Sequence, residues 1–274
     1  MTTFLSKLQT VQQNSDSLLC VGLDTDIKKI PVHLQSKKNG VLEFNKQIIE
    51  ATKDFACSYK INFAFYEALA KDGWTIIEKT RALIPSNIIT IADAKRGDIG
   101  NSSSYYANAI LNEMEFDSIT VAPYMGKDSV APFLFSEEKG AFLLALTSNE
   151  GAKNFQYLKV GARRVFEEVI RISLKWNTKK NLGFVVGATK AQDMKSVRKL
   201  APNVPLLIPG IGAQGGDLKN TIQYGCDKNG FNAIINASRS ILYASNGNDF
   251  AEAARREAEK LRNEINIYRK KFFK

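Results

Sequence analysis

Eight short apolar, β-rich runs recur from one end of the chain to the other, and they limit the fold more than any other feature. They are LLCVGLD (18–24), CSYKINF (57–63), IITIADA (88–94), SITVAP (118–123), AFLLALTS (141–148), GFVVGAT (183–189), PLLIPGI (205–211) and NAIINAS (232–238). Most are apolar at successive positions, not alternate ones, which is the pattern of parallel strands covered on both faces. Stretches with helical spacing lie between them, at 41–54, 66–83, 102–114, 160–176, 191–200 and 250–268. Asp217 and Asp249 stand where helix N-caps are expected.

Eight strands alternating with helices predict a parallel α/β protein, and eight is the number that closes a barrel. No Gly/Ser-rich or Pro-rich linker breaks the alternation, so one (β/α)8 TIM-barrel domain is expected over 1–274, with a basic helical tail from about 251. The less regular segments 149–159 and 225–230 predict longer loops. A doubly wound open sheet would need a glycine-rich phosphate turn after the first strand. TDIKKIP (25–31) follows instead.

Composition removes several classes. With 44% hydrophobic and 24% charged residues, the chain matches globular proteins and not disordered, collagen-like or disulfide-stapled ones. Cys20, Cys57 and Cys226 are odd in number, widely spaced and flanked by apolar residues, so they are expected to be buried reduced thiols. No apolar run approaches the roughly 18 residues of a membrane span, and the first residues lack a secretion-signal layout. A soluble cytoplasmic protein is expected. The net charge of +10 leaves nucleic acid, a membrane surface or an anionic small molecule as partners to weigh.

In such barrels the chemistry sits where strands end at their C-terminal face. Polar groups closing greasy strands are therefore informative: Asp24, Lys60, Asp93, Lys95, the nearby Asp98, Ser148, Gln214 and Arg239. Strand alternation predicts that Asp93 and Lys95 both face the barrel mouth. Lys60 is costly to bury without a carboxylate. Lys60, Asp93, Lys95 and Asp98 are thus expected to form an array of alternating sign, each group holding its neighbour charged. Such an array suits a reaction in which negative charge develops and a lysine delivers a proton. A charged surface turn is the competing reading of 93–98.

A second feature is PGIGAQGGD (209–217) after the seventh run, with Ser238, Arg239 and Ser240 after the eighth. Phosphate in these barrels is commonly held by the loops after strands seven and eight. Glycines let backbone N–H groups approach an anion, and arginine adds a forked charged donor. The single histidine, His33, lies in a polar stretch and is expected to be a solvated loop residue. It gives no support to histidine acid–base chemistry or a histidine-rich metal site.

With these positions side by side, the chain resembles the orotidine 5′-phosphate decarboxylase family. It is most similar to the bacterial branch carrying DAKRGDIG (93–100), NFAFYE (62–67) and PGIGAQGGD-like segments. The resemblance runs from about Leu18 to Ala244, with motifs in order on at least six of the eight runs. It implies removal of CO2 from orotidine monophosphate to give UMP, the last step of UMP synthesis, without metal or cofactor. Carried over residue by residue, it implies that Asp24 and Lys60 contact ribose hydroxyls and that Asp93 sits beside the departing carboxylate. Lys95 would protonate C6. Asp98 and Ile99 would reach the partner subunit's site in a homodimer, with Ser102 beside the partner's ribose. Ser148 would read the pyrimidine amide, Pro209 would form apolar wall, and Gln214 and Arg239 would grip the phosphate. Ile61 replaces the family's usual proline, Ser102 a common threonine and Ala122 a frequent asparagine. None of these removes an ionic or phosphate-binding group.

The nearest rival is a metal-dependent sugar-phosphate decarboxylase or aldolase, which shares an Asp-x-Lys-x-x-Asp strand. Arg96, Gly97 and the Gln214/Arg239 pair favour the nucleotide enzyme. A Schiff-base lysine is disfavoured, because a lysine flanked by carboxylates stays protonated. Nucleic-acid binding calls for aromatics interleaved with basic residues, and no such segment occurs outside the tail. That tail, 251–274, carries eight basic and four acidic side chains and is expected to be a solvated helix with a frayed end. Neither nucleic acid nor membrane is an expected partner. The charge is expected to give mild steering of an anionic nucleotide.

Overall fold

Runs buried on both faces become strands enclosed between a barrel interior and an outer ring of helices. The computed structural model describes residues 2–212 and 216–273. The first five runs give β1 Leu19–Leu23, β2 Ser58–Asn62, β3 Ile89–Arg96, β4 Ser118–Val121 and β5 Gly140–Leu146. A short antiparallel ribbon, β6 Lys159–Val160 with β7 Arg163–Arg164, interrupts the alternation. The last three runs give β8 Leu182–Val186, β9 Leu206–Pro209 and β10 Ala233–Ala237. The eight longer strands pair in parallel in the order β1-β2-β3-β4-β5-β8-β9-β10, and β10 closes on β1. This is the expected (β/α)8 barrel.

Two packing layers follow. The larger core lies between strands and helices and includes Val21, Ile61, Ile119, Leu143, Val186 and Ile235. The smaller fills the barrel with Cys20, Cys57, Ile89, Ile91, Phe142, Val185, Leu207 and Ile234. Its floor is a helix that the strand pattern did not reveal, Phe4–Asn14, capped by the Thr3 hydroxyl. Phe4, Leu8 and Val11 of this helix belong to the barrel-interior cluster, and Phe4 meets Phe142 edge to face at 5.9 Å. The N-terminal end of the barrel is therefore sealed, which leaves the C-terminal end as the open one.

Several helix expectations change in detail. The stretch 66–83 divides into Phe63–Glu67 and Lys71–Leu83, because Ala70 turns left-handed at φ 53°. The stretch 102–114 runs as Gly100–Ala107 and continues in a wider π turn over Asn108–Glu113. Val160 lies in the ribbon, so the next helix begins at Val165. Asp217 is a true N-cap, accepting from the Asn220 amide at 3.0 Å. Asp249 occupies the cap position without a capping bond; its carboxylate accepts from the Ser245 hydroxyl instead. His33 is exposed as expected, but on the short helix Val32–Gln35 and not in a loop.

The C-terminal tail is also corrected. Phe250–Phe272 is one helix whose last turns are docked, not frayed. Asn266 Nδ2 donates to the Asp16 carbonyl at 2.7 Å, and Arg269 pairs with the Asp16 carboxylate while lying over the Phe231 ring. The three cysteines are free and buried, and burial pushes each thiol up to about 12, so they are inert packing groups. Among the described residues, no helix is long and apolar enough to cross a membrane.

Candidate active site

The open end of the barrel holds a cavity of about 440 Å3. Apolar side chains form part of its wall, namely Leu144, Val185, Leu207, Pro209 and Ile211. The rest is polar and charged. Asp24, Lys60, Asp93 and Lys95 stand on the β1–β3 side, Thr147 and Ser148 follow β5, and Ser238 and Arg239 follow β10.

The charged groups form a chain of alternating sign. Lys60 Nζ donates to Asp24 Oδ1 at 3.1 Å and to Asp93 Oδ2 at 2.9 Å. Lys95 Nζ donates to the other oxygen of Asp93, Oδ1, at 2.7 Å. The Lys60 side chain is only 4% exposed and Asp93 10%, whereas Lys95 is half exposed towards the cavity. Burial alone works against the charge of Asp93, but Lys60 and Lys95 overcome it and hold the carboxyl well below the usual carboxylate range. Burial likewise opposes the charge on Lys60, and Asp24 and Asp93 outweigh it, raising the ammonium above its ordinary value. Both groups stay ionised at neutral pH.

Lys95 reaches this position by a route that simple alternation does not describe. The β3–β4 register slips between Ala92 and Arg96, and Lys95 is left-handed at φ 47°. Such a backbone costs on the order of 1–3 kcal/mol for a residue with a Cβ and persists only where the surroundings impose it. The Lys95 amide, out of the regular ladder, donates to Thr120 Oγ1 at 3.0 Å. Arg96, next along, pairs with Glu67 and lies over the rings of Phe63 and Tyr106.

Neighbouring elements hold the rest. Tyr243 OH donates to the Asp24 carbonyl at 3.0 Å and accepts from the Asp26 amide at 2.8 Å, tying the β1 loop to the chain just beyond Arg239. Gln156 brackets Thr147, accepting from its amide and donating to its hydroxyl, each at 2.8 Å. Gly22 leaves room for its neighbours at the end of β10, because a Cβ there would lie 2.0 Å from Ser238 Oγ and 2.9 Å from Asn236 Oδ1 and would push both cavity side chains aside. Gly210, at φ 107°, lets the chain turn out of β9 into the glycine-rich loop. Arg239 is exposed on the cavity wall and makes no ion pair among the described residues.

Asp24, Lys60, Asp93, Lys95, Ser148, Pro209 and Arg239 therefore share one cavity. Gln214 lies outside the described residues. The expected four-membered array is corrected at one end: its fourth member is Asp24, not Asp98. Asp98 accepts from the Ile99 amide at 2.7 Å, and its backbone is bracketed by Ser103 Oγ. Asp98, Ile99 and Ser102 do not line the cavity within one chain, and Ile99 is 65% exposed. Residue-by-residue reading passed over Asn62, Thr120 and Asn236, which also line the cavity. All three are polar residues near the C-terminal end of an apolar run, the same signal that drew attention to Lys60.

Comparison with known proteins gives the family to which this barrel is similar. The family model described as the Orotidine 5′-phosphate decarboxylase / HUMPS family matches residues 17–255. The chain is 54% identical over 274 residues to orotidine 5′-phosphate decarboxylase of Dehalococcoides mccartyi, covering 98% of this chain and 99% of that one. The solved OMP decarboxylase of Leishmania donovani superposes with a TM-score of 0.86 at 35% identity, covering 97% of this chain and 98% of that one. The UMP synthase of the same organism superposes with a TM-score of 0.88 at 36% identity, covering 98% of this chain, which spans 57% of that longer protein. A match across most of the chain, at identities well beyond what a shared barrel alone produces, settles the kinship: the chain belongs to the orotidine 5′-phosphate decarboxylase / HUMPS family.

Proposed function

We propose that the protein converts orotidine 5′-monophosphate to UMP and CO2 in de novo pyrimidine synthesis, without metal or cofactor. The observation that carries this reading is the ammonium of Lys95, held 2.7 Å from a deeply buried, ionised Asp93 at the edge of the cavity. Cleavage of the C6–carboxylate bond leaves its electron pair on C6 of the pyrimidine, where the ring delocalises it poorly. A fixed cation at C6 stabilises that charge, and its N–H then supplies the proton as CO2 leaves. Solvent returns a proton to the half-exposed lysine.

The other residues serve the same substrate. Asp24 and Lys60 bind the ribose hydroxyls, and Asp93 sits beside the departing carboxylate. Ser148 reads the pyrimidine amide, Pro209 contributes apolar wall, and Gln214 and Arg239 grip the phosphate. Arg239 supports this by projecting a cation with no carboxylate partner among the described residues. The carboxylates facing the cavity, Asp24 and Asp93, are both engaged by Lys60, so a divalent metal would have to displace an ammonium. The direct test follows the loss of pyrimidine ultraviolet absorbance on adding orotidine monophosphate to EDTA-treated enzyme. Full turnover is expected. A requirement for added magnesium would replace this reading with that of a metal-dependent sugar-phosphate relative.

The active unit is proposed to be a homodimer, with Asp98, Ile99 and Ser102 completing the partner subunit's site. Supporting this, these residues stand off their own cavity, and Ile99 at 65% and Tyr105 at 73% exposure, the latter on the same helix as Ser102, present large apolar side chains that this chain does not cover. Lys95→Ala and Asp98→Ala chains, each inactive alone, are expected to regain activity when co-expressed. About one quarter of the sites would then combine an intact Lys95 with an intact Asp98, as random pairing in a two-fold dimer dictates. Failure of the mixture to exceed either parent would mean that Asp98 acts within its own chain.

A further inference from the structure

Thr120 bridges the two charged groups at the centre of the site. It is 1% exposed, sits on β4 and faces the cavity beneath Lys95. Its hydroxyl donates to Asp93 Oδ1 at 3.0 Å and accepts from the Lys95 backbone amide at 3.0 Å. Asp93 Oδ1 is also the oxygen that receives the Lys95 ammonium, at 2.7 Å. A closed ring of bonds results: Lys95 amide to Thr120 hydroxyl, hydroxyl to Asp93 carboxylate, carboxylate to Lys95 ammonium.

The direction of the hydroxyl proton is fixed by its neighbours. The amide can only donate and the carboxylate can only accept, so Thr120 must donate to Asp93 and receive from Lys95. The bond to the amide falls where the β3–β4 ladder slips and Lys95 turns left-handed. The same hydroxyl thus holds the backbone from which Lys95 projects and the carboxylate to which its tip is tied. The β-branch of threonine restricts χ1, so the hydroxyl is held towards this pair.

We infer that Thr120 is a positioning residue for the proton donor, setting where Lys95 Nζ meets the substrate without touching the reacting atoms. The inference rests on the proposed decarboxylation. Its loss should act on the chemical step and leave the phosphate and ribose contacts in place, so kcat and KM should separate.

The test uses full-length enzyme and three substitutions. Thr120→Val keeps the shape and removes the hydroxyl; its kcat is expected to fall about 100-fold, the scale of a misplaced reacting group. KM for orotidine monophosphate and the Kd for UMP should stay within about threefold, since neither depends on the hydroxyl. Thr120→Ser restores the hydroxyl and should recover kcat to within about fivefold, its shortfall reflecting the looser χ1. Should Thr120→Val not fold, Thr120→Ala carries the same test, because it removes the hydroxyl without altering charge or adding bulk. A hydroxyl-free variant with kcat within threefold of the parent overturns the inference. So does a parallel loss in the serine variant, or a fall in kcat matched by weaker UMP binding, since either points to general disruption of the strand. Wild-type enzyme is assayed first. If it fails to decarboxylate orotidine monophosphate, the proposed function fails; if it is active and Thr120→Val is near normal, only the positioning role fails.

Discussion

Replacing Lys95 with alanine is expected to abolish decarboxylation while UMP binding survives within a few-fold. The two outcomes separate because the Lys95 side chain joins the site at one point only, while its backbone amide keeps the Thr120 hydroxyl in the variant. Lys95 Nζ touches Asp93, but Asp93 keeps Lys60 at 2.9 Å and the Thr120 hydroxyl at 3.0 Å when that contact goes. The buried carboxylate is therefore not left unpaired, and the half-exposed lysine leaves behind a space that water can fill. The arginine beyond β10 and the pocket wall after β5 follow other strands and are untouched. On the chemical side, proton delivery contributes about 10²–10⁴-fold. A fixed charge at a developing anion contributes about 10²–10³-fold more. A loss of at least roughly 10⁴ in kcat is expected on the combined scale of those effects. Turnover by continuous absorbance and UMP affinity by calorimetry check both halves. Near-normal turnover would overturn the proposed role of Lys95 as proton donor.

How far the sequence spoke for the structure depends on the length scale of the signal. Strands buried on both faces leave an unbroken apolar run, so the barrel was legible, and the runs ended where Asp24, Asp93 and Ser148 reach the mouth. Lys60 was legible for a related reason, since a lysine within CSYKINF demands carboxylates, and it has two. The partner at the end of the array was not. Asp98 and Asp24 are both acidic residues beside strand ends, and only the pairing of β1 with β2, which sets Gly22 beside Lys60, decides between them. The slip of β3 against β4 was equally hidden. The expectation that Asp93 and Lys95 share a face held through a left-handed residue and not through regular alternation. The barrel floor illustrates the same limit. Phe4, Leu8 and Val11 carry a helical stripe, but its burial depends on Gly140, where a Cβ would lie 2.5 Å from the Phe4 ring. Net charge was the weakest guide. The site itself alternates in sign, and the basic tail is partly spent on docking to Asp16.

Asp93→Asn is expected to remove turnover and also destabilise the fold, with a pH signature that separates it from an ordinary packing defect. The wild-type carboxylate accepts from two ammonium groups and one hydroxyl. An asparagine amide offers a single acceptor oxygen and turns a donor towards one of the cations. Lys60, almost wholly buried, is left with Asp24 as its one carboxylate. Breaking a buried ionic network from one side costs about 3–5 kcal/mol. Because Lys60 and Asp24 keep each other's company, the lower end of that range is expected here. The pH dependence follows from the depressed carboxyl of Asp93. Its contribution to stability is complete above the unfolded value of about 4 and is lost as pH falls through the lower folded value. Lys60 does not confuse the comparison. Its raised value means that its own contribution is complete below about 10.5 and is lost only as pH rises through the higher folded value. The gap in unfolding free energy between wild type and Asp93→Asn should therefore be widest at pH 7 and narrow at pH 3, measured by urea denaturation at both. A gap that stays constant across that range would show that the carboxylate is not held ionised by its lysines. Retained turnover in the same variant would overturn the proposed place of Asp93 beside the departing carboxylate and show that Asp93 does not set the position from which Lys95 acts.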